Sequence, residues 1–139
     1  MEELLTEKYT DAQIAEMPVL SLAHVGDGVY ELLARLHALN GGDCRVAAMH
    51  QRTVGMVSAE AQARAAQKIK PLLNELEASY FRRGRNVKPH HAPPHKAGTD
   101  TYALATALET LFGELYLSGR TERLLELWRA AEEAFAEDE

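Results

Sequence analysis

The sequence predicts an all-α domain, a compact bundle of about six or seven helices, and three observations point that way. Apolar residues recur at steps of three and four instead of alternating. Prolines and most glycines sit at the borders of those periodic stretches. The 139 residues suffice for one real core and are too few for two, so a single domain over 1–139 is expected, with its core at about 18–128.

The elements follow in order. Thr10 is placed to cap a short acidic helix at about Asp11 to Glu16. Pro18 suits the first turn of a long helix that runs to Leu39 and stops at Asn40-Gly41-Gly42. Asp43 is a candidate cap for a third helix reaching about Gly55, and Ser58 for a fourth, "AEAQARAAQKIK". Pro71 would begin a fifth, "PLLNELEASYFRRG", ending near Gly84. From Arg85 to Asp100 the chain holds three of its five prolines, so a long basic loop is expected there. Two helices close the chain, about Thr101 to Leu117 and, capped by Thr121, Glu122 to Phe135.

Composition narrows the chemistry. Cys44 is the only cysteine, which excludes an intrachain disulfide and a thiolate metal cluster; it reads as a small, buried structural residue. The acidic N-terminus lacks a signal-peptide pattern, and no apolar run approaches the ~18 residues of a membrane span, so a soluble, cytoplasmic protein without a membrane partner is expected. The formal charge of −6 argues against nucleic acid until its distribution is read. Ser79 to Thr99 carries Arg82, Arg83, Arg85, Lys88 and Lys96 with no acid, whereas the acids gather after Glu122. Arginine forks in "FRRGRNVK" can grip phosphates, with Asn86 adding a polar contact, although a charge run is often plain solvated surface. The histidines of "HHAPPH" lack metal-site spacing.

Two stretches carry candidate chemistry. In "LSLAHVGDGVYELLARL", Leu22, Val25, Val29, Leu32, Leu33 and Leu36 form an apolar stripe, and His24, Asp27, Glu31 and Arg35 a polar one. Asp27 stands between Gly26 and Gly28, each costing about 1 kcal/mol of helix stability relative to alanine, which suits a place where a backbone, metal or phosphate comes close. In "TYALATALETLFGELYLSG" the only charges are Glu109 and Glu114, about 140° apart around a helix, so either one of them points inward or both lie at the edges of the buried arc. Asp27 and Glu109, if brought together by helix packing, are the hard oxygen donors that Mg²⁺ takes alongside water and substrate phosphate.

"LAHVGDGVYELLAR" resembles the ribonuclease III signature, and "ATALETLFGELYLSG" resembles that family's later acidic helix. "RRGRNVK", "HQRTVGMVSAEAQA" and the short length without an RNA-binding domain look more specifically like the Mini-ribonuclease III branch. The resemblance covers about Pro18 to Trp128. It implies a ribonuclease III-type, all-helical endonuclease domain, working as a homodimer, that cuts double-stranded RNA with Mg²⁺ (or Mn²⁺ in its place) and leaves 5′-phosphates. The implied role is maturation of the large-subunit (23S) ribosomal RNA precursor. Asp27 and Glu109 would be catalytic residues and metal ligands. Arg82, Arg83, Arg85, Asn86, Lys88 and Lys96, with His50 and Arg52, would touch RNA. Two positions depart from full-length ribonuclease III, Ala23 where it has Glu and Thr106 where it has Asp, and both departures agree with the Mini branch. Gly28 stands where alanine is commoner. Two other readings compete: a non-catalytic helical RNA-binding or ribosome-assembly module on the same fold, and an all-α Mg²⁺-dependent nucleotide pyrophosphohydrolase. The last would need clustered acids that Glu122 and Glu126 alone do not supply.

Overall fold

The computed structural model describes residues 2–87 and 98–136; Lys88, Lys96, the three clustered histidines and the last acidic residues lie outside them. Among the described residues there are eight α-helices and one 3₁₀ turn, and no strand: α1 (Glu2–Thr6), α2 (Asp11–Ala15), α3 (Val19–Leu39), α4 (Val46–Val57), α5 (Ala59–Ile69), the 3₁₀ turn Lys70–Leu72, α6 (Glu75–Asn86), α7 (Gly98–Leu117) and α8 (Thr121–Ala136). The all-α class holds, and the added element is α1.

α7 is the axis of the bundle, with α3, α5, α6 and α8 packed around it. Its Leu104, Leu108, Leu111, Phe112 and Leu115 are buried, as its apolar composition demands. Tyr30 of α3 and Trp128 of α8 meet edge to face at 5.2 Å, and Tyr30 meets Phe112 in the same way at 5.4 Å. A smaller cluster of Ile14, Leu22 and Tyr80 seats α2 against this body. The N-terminal arm follows the C-terminal end of α7, where Tyr9 donates its backbone N–H to Leu117 at 2.8 Å and the Tyr116 hydroxyl donates to the Leu5 carbonyl at 3.0 Å.

Several sequence expectations need correction, each for a local reason. α3 does bury a stripe, but it consists of Leu22, Ala23, Gly26, Tyr30, Ala34 and Ala38. Leu32 and Leu36 remain 58% and 47% exposed, because the buried face of α3 is the one that carries Gly26 and the alanines, with Leu22 and Tyr30 as its large side chains. Asp43 does not cap α4. Its carboxylate accepts from the Arg45 backbone N–H at 3.0 Å and from the Arg45 guanidinium, and the helix starts at Val46 with Arg45 at its N-cap, two residues later. Pro71 enters only the 3₁₀ turn, because Asn74 and Glu77 form a reciprocal capping box (2.9 and 3.0 Å) that restarts the chain as α6. α6 then continues to Asn86, and α7 begins at Gly98, so Arg85 and Asn86 ride on a helix and the expected 85–100 loop is trimmed at both ends. Cys44 is exposed, not buried.

Candidate active site

The site is built where α3 crosses α7. A Cβ placed on Gly26 would sit 1.7 Å from the Glu109 carbonyl oxygen, and one placed on Gly113 would sit 2.0 Å from the Leu22 carbonyl. Only paired glycines allow this backbone contact, which answers why α3 tolerates Gly26. Gly28 has no such reason, since nothing lies within 4 Å of its would-be Cβ.

The crossing brings Asp27 to Glu109. The Asp27 carboxylate is exposed, Glu109 is half-buried, and the two are close enough for the charge of one to act on the other. Burial first, and then the neighbouring negative charge, push the Glu109 carboxyl up to about 8. From α5, the buried amide of Gln62 partly opposes that rise. Tyr30 lies one turn along α3 from Asp27, and burial, aided by the Glu109 charge, drives its phenol well above the ordinary range. Its hydroxyl donates to the Met56 carbonyl at 3.3 Å. The two positions that depart from full-length ribonuclease III contribute no carboxylate here. Ala23 is buried, and the Thr106 hydroxyl turns back to the Tyr102 carbonyl at 2.9 Å.

Glu114 is the acid that points fully inward. It is 1% exposed and takes Arg120 as its partner at 2.9 Å, away from the crossing.

The basic candidates divide. Arg82 is exposed and, with Arg85, Asn86 and Lys70, lines one cleft beside Phe81. Arg85 pairs with Asp100 at 3.0 Å across the ends of α6 and α7. Arg83 turns to another flank, 5.1 Å above the Tyr80 ring. His50 is exposed in a cleft with Glu31 and Arg35. Arg52 has a structural post: its guanidinium donates to the Ala38 carbonyl at 2.6 and 3.0 Å and to the Asp43 carbonyl, closing the corner from α3 to α4.

Sequence reasoning missed Gln62. It reads as a polar residue on an alanine-rich helix, yet it falls in line with Ala66 and Ile69 at helical spacing, on the buried face. That alignment is the signal by which it can be found.

The model of the ribonuclease III domain family matches residues 20–120 of this chain. The chain belongs to the ribonuclease III family. The chain is 43% identical over 115 residues to a Mini-ribonuclease 3 of Symbiobacterium thermophilum, covering 83% of this chain and 88% of that one. A Mini-ribonuclease 3 of Desulfitobacterium hafniense is 40% identical, with 89% and 78% covered. Among solved structures, the crystal structure of protein FN1578 from Fusobacterium nucleatum superposes with a TM-score of 0.73 at 28% identity, covering 82% of this chain and 90% of that one. With the family shown, this ribonuclease III-type chain is an endoribonuclease. Among the described residues no helix is long and apolar enough to cross a membrane.

Proposed function

We propose that residues 1–139 form one catalytic domain that cuts double-stranded RNA with Mg²⁺, as a cytoplasmic homodimer acting on the 23S ribosomal RNA precursor. The observation that carries this reading is the meeting of Asp27 and Glu109 at the α3–α7 crossing. Two hard oxygen donors lie side by side, and burial first, with the Asp27 charge second, lets Glu109 keep its proton to an unusually high pH. These residues fit a divalent cation, which would replace that proton. When bound, such an ion supplies a hydroxide at neutral pH and stabilises charge on the scissile phosphate. The protein's own part is to hold Asp27 and Glu109 on two helices in backbone contact, and to keep the Tyr30 phenol neutral at the site's edge. Water and RNA phosphate would complete the ion's coordination.

A homodimer finds support in the large apolar side chains left exposed, Leu32, Leu36 and Leu39 on α3 and Val46 and Val54 on α4. For RNA contact we keep Arg82, Arg83, Arg85, Asn86, Lys88, Lys96 and His50, and assign Arg52 to the α3–α4 corner.

The test is cleavage of a long RNA duplex with Mg²⁺. Wild type should cut, and Asp27→Asn should bind the duplex yet cut about a thousandfold more slowly. Equal cutting by both would remove Asp27 from the site, and no cutting by wild type on any duplex would favour a binding module. Replacing Arg82, Arg83 and Arg85 by alanine should flatten the salt dependence of duplex binding by about two or three in log–log slope. An unchanged slope would take these arginines out of the interface.

A further inference from the structure

Beside α6 lies a cleft of about 400 Å³ whose polar lining is Lys70, Arg82, Arg85 and Asn86, and whose walls include Leu73 and Phe81. No acid is among the described residues that line it. Lys70 comes from a different element than the arginines. It opens the 3₁₀ turn after α5, where Pro71 fixes the backbone and the Leu73 N–H returns to the Lys70 carbonyl at 3.3 Å. The Asn74 capping box then starts α6, so this corner is held at both ends. Arg82 and Arg85 stand about one turn apart on α6. That helix is in turn seated on α7, where a Cβ on Gly84 would lie 2.5 Å from the Thr110 hydroxyl oxygen and 2.9 Å from the Ala107 Cα. Ala107 and Thr110 stand on either side of Glu109 in the chain, so the cleft is fixed against the helix that carries one of the two candidate carboxylates.

Acids outnumber bases in this chain by 21 to 15, and Arg35, Arg45, Arg120 and Arg123 each have a carboxylate at 2.8 or 2.9 Å. Among the described residues the side chains of Lys70 and Arg82 have no such partner, and both are exposed. Arg85 pairs with Asp100 at 3.0 Å, and Asp100 does not line the cleft. Like charges gathered along an apolar wall focus a positive potential, because the wall screens them less than water does. An anion from outside lowers that energy, and arginine forks joined by a lysine point charge form a donor set for phosphate oxygens. We propose that this cleft is the seat of one backbone phosphate of the RNA, shared between Lys70 of the 3₁₀ turn and Arg82 and Arg85 of α6. This rests on the RNA-cutting reading above and adds Lys70 to the residues that hold the substrate. A phosphate gripped from two elements fixes where the duplex lies relative to α7. The seat acts on binding and leaves the chemical step to the carboxylates.

The test measures duplex binding by the full chain in a chelator, where no strand is cut. Lys70→Ala should melt within a few degrees of wild type, weaken binding about three- to tenfold and reduce the log–log salt slope by about one, the share of one phosphate contact. Lys70→Arg should restore both. Lys8→Ala, which removes an exposed lysine beside Gly119, should change neither; an equal loss there would reduce the effect to overall charge and overturn the seat. With Mg²⁺ present, KM of Lys70→Ala should rise by the same factor as Kd while kcat stays within about twofold. Short duplexes carrying a single neutral methylphosphonate identify the phosphate: a position that weakens wild-type binding should have no effect in Lys70→Ala. Duplexes with 5′-phosphate and 5′-hydroxyl ends should bind alike. A preference for the 5′-phosphate that Lys70→Ala loses would put a strand end in the cleft and overturn the backbone assignment. Wild-type affinity and slope in Lys70→Ala, or a methylphosphonate profile that the substitution leaves unchanged, overturns the seat alone. If the wild type binds no duplex at all, the RNA reading falls and the seat with it; full cutting by Asp27→Asn would touch only the carboxylates.

Discussion

Glu109 and Glu114 share one helix and the same neighbourhood of apolar residues, yet they are handled in opposite ways. Glu114 is sealed in the core and given a cation of the protein's own: Arg120 reaches it at 2.9 Å and with its other nitrogen reaches Asp11 at 2.9 Å. Nearby, Arg123 pairs with buried Glu77 at 2.9 Å, so each of these two buried acids has an arginine of its own. Glu109 is offered another carboxylate and a neutral amide instead. The fold supplies arginine to one of these acids and withholds it from the other, on the same helix, and the proposed cation site rests on that difference.

The largest break in this contrast should come from exchanging each acid for its amide. Glu109→Gln should abolish cutting of duplex RNA, down by about a thousandfold, and Glu114→Gln should leave it within about twofold. Loss of activity in both would mean that they serve one structural end. Next, Arg120→Ala should destabilise the chain by about 2 kcal/mol at pH 8, by urea titration, and by less at pH 6. The difference arises because burial pushes Glu114 up to about 7, so at lower pH the abandoned carboxyl takes a proton. Equal losses at both pH values would disprove that account.

A third effect is the pH dependence of the metal-free protein. The folded chain holds the Glu109 and Glu114 protons to about 8 and about 7, against an ordinary 4.5. The unfolded chain releases them near that ordinary value, so stability is greatest below it and declines as pH rises toward 8. In a chelator the melting temperature should drop by on the order of 5 °C between pH 5 and 8, and each amide variant should flatten the decline. The smallest effect is at Gly28, where the added methyl of Gly28→Ala meets open space; it should add about 0.5–1 kcal/mol and leave cutting within twofold.

The helices, the Asn40–Gly42 stop and the pairing of Asp27 with Glu109 as candidates were legible because they rest on local chemistry and on motifs. What escaped depends on how closely helices approach. The seam of α3 was assigned to its leucines because transfer free energy favours them, but contact with α7 at Gly26 and Gly113 admits only small residues there. Gln62 was hidden because a polar residue on a helix usually faces water, and only the packing of α5 on α7 buries it. The angle between Glu109 and Glu114 showed that they part company; which one goes inward was set by Arg120, which lies beyond their helix. Asn74 outranked Pro71 as a helix start because its capping box satisfies two backbone donors, and a proline at N1 satisfies none.

The glycine contact between α3 and α7 also has a mechanical side. Two rods in closest contact at one crossing rock about that crossing, and displacement grows with distance from it. From Gly26 to Leu39 is about 20 Å of helix, so a rocking of ~5° moves the far end by about 1.7 Å. Side chains rooted at the pivot, about 4–5 Å from it, shift by only ~0.4 Å, inside the ~0.5 Å that a working site tolerates. Asp27 and Glu109 sit at the fulcrum, where the bundle can breathe while their spacing stays almost constant.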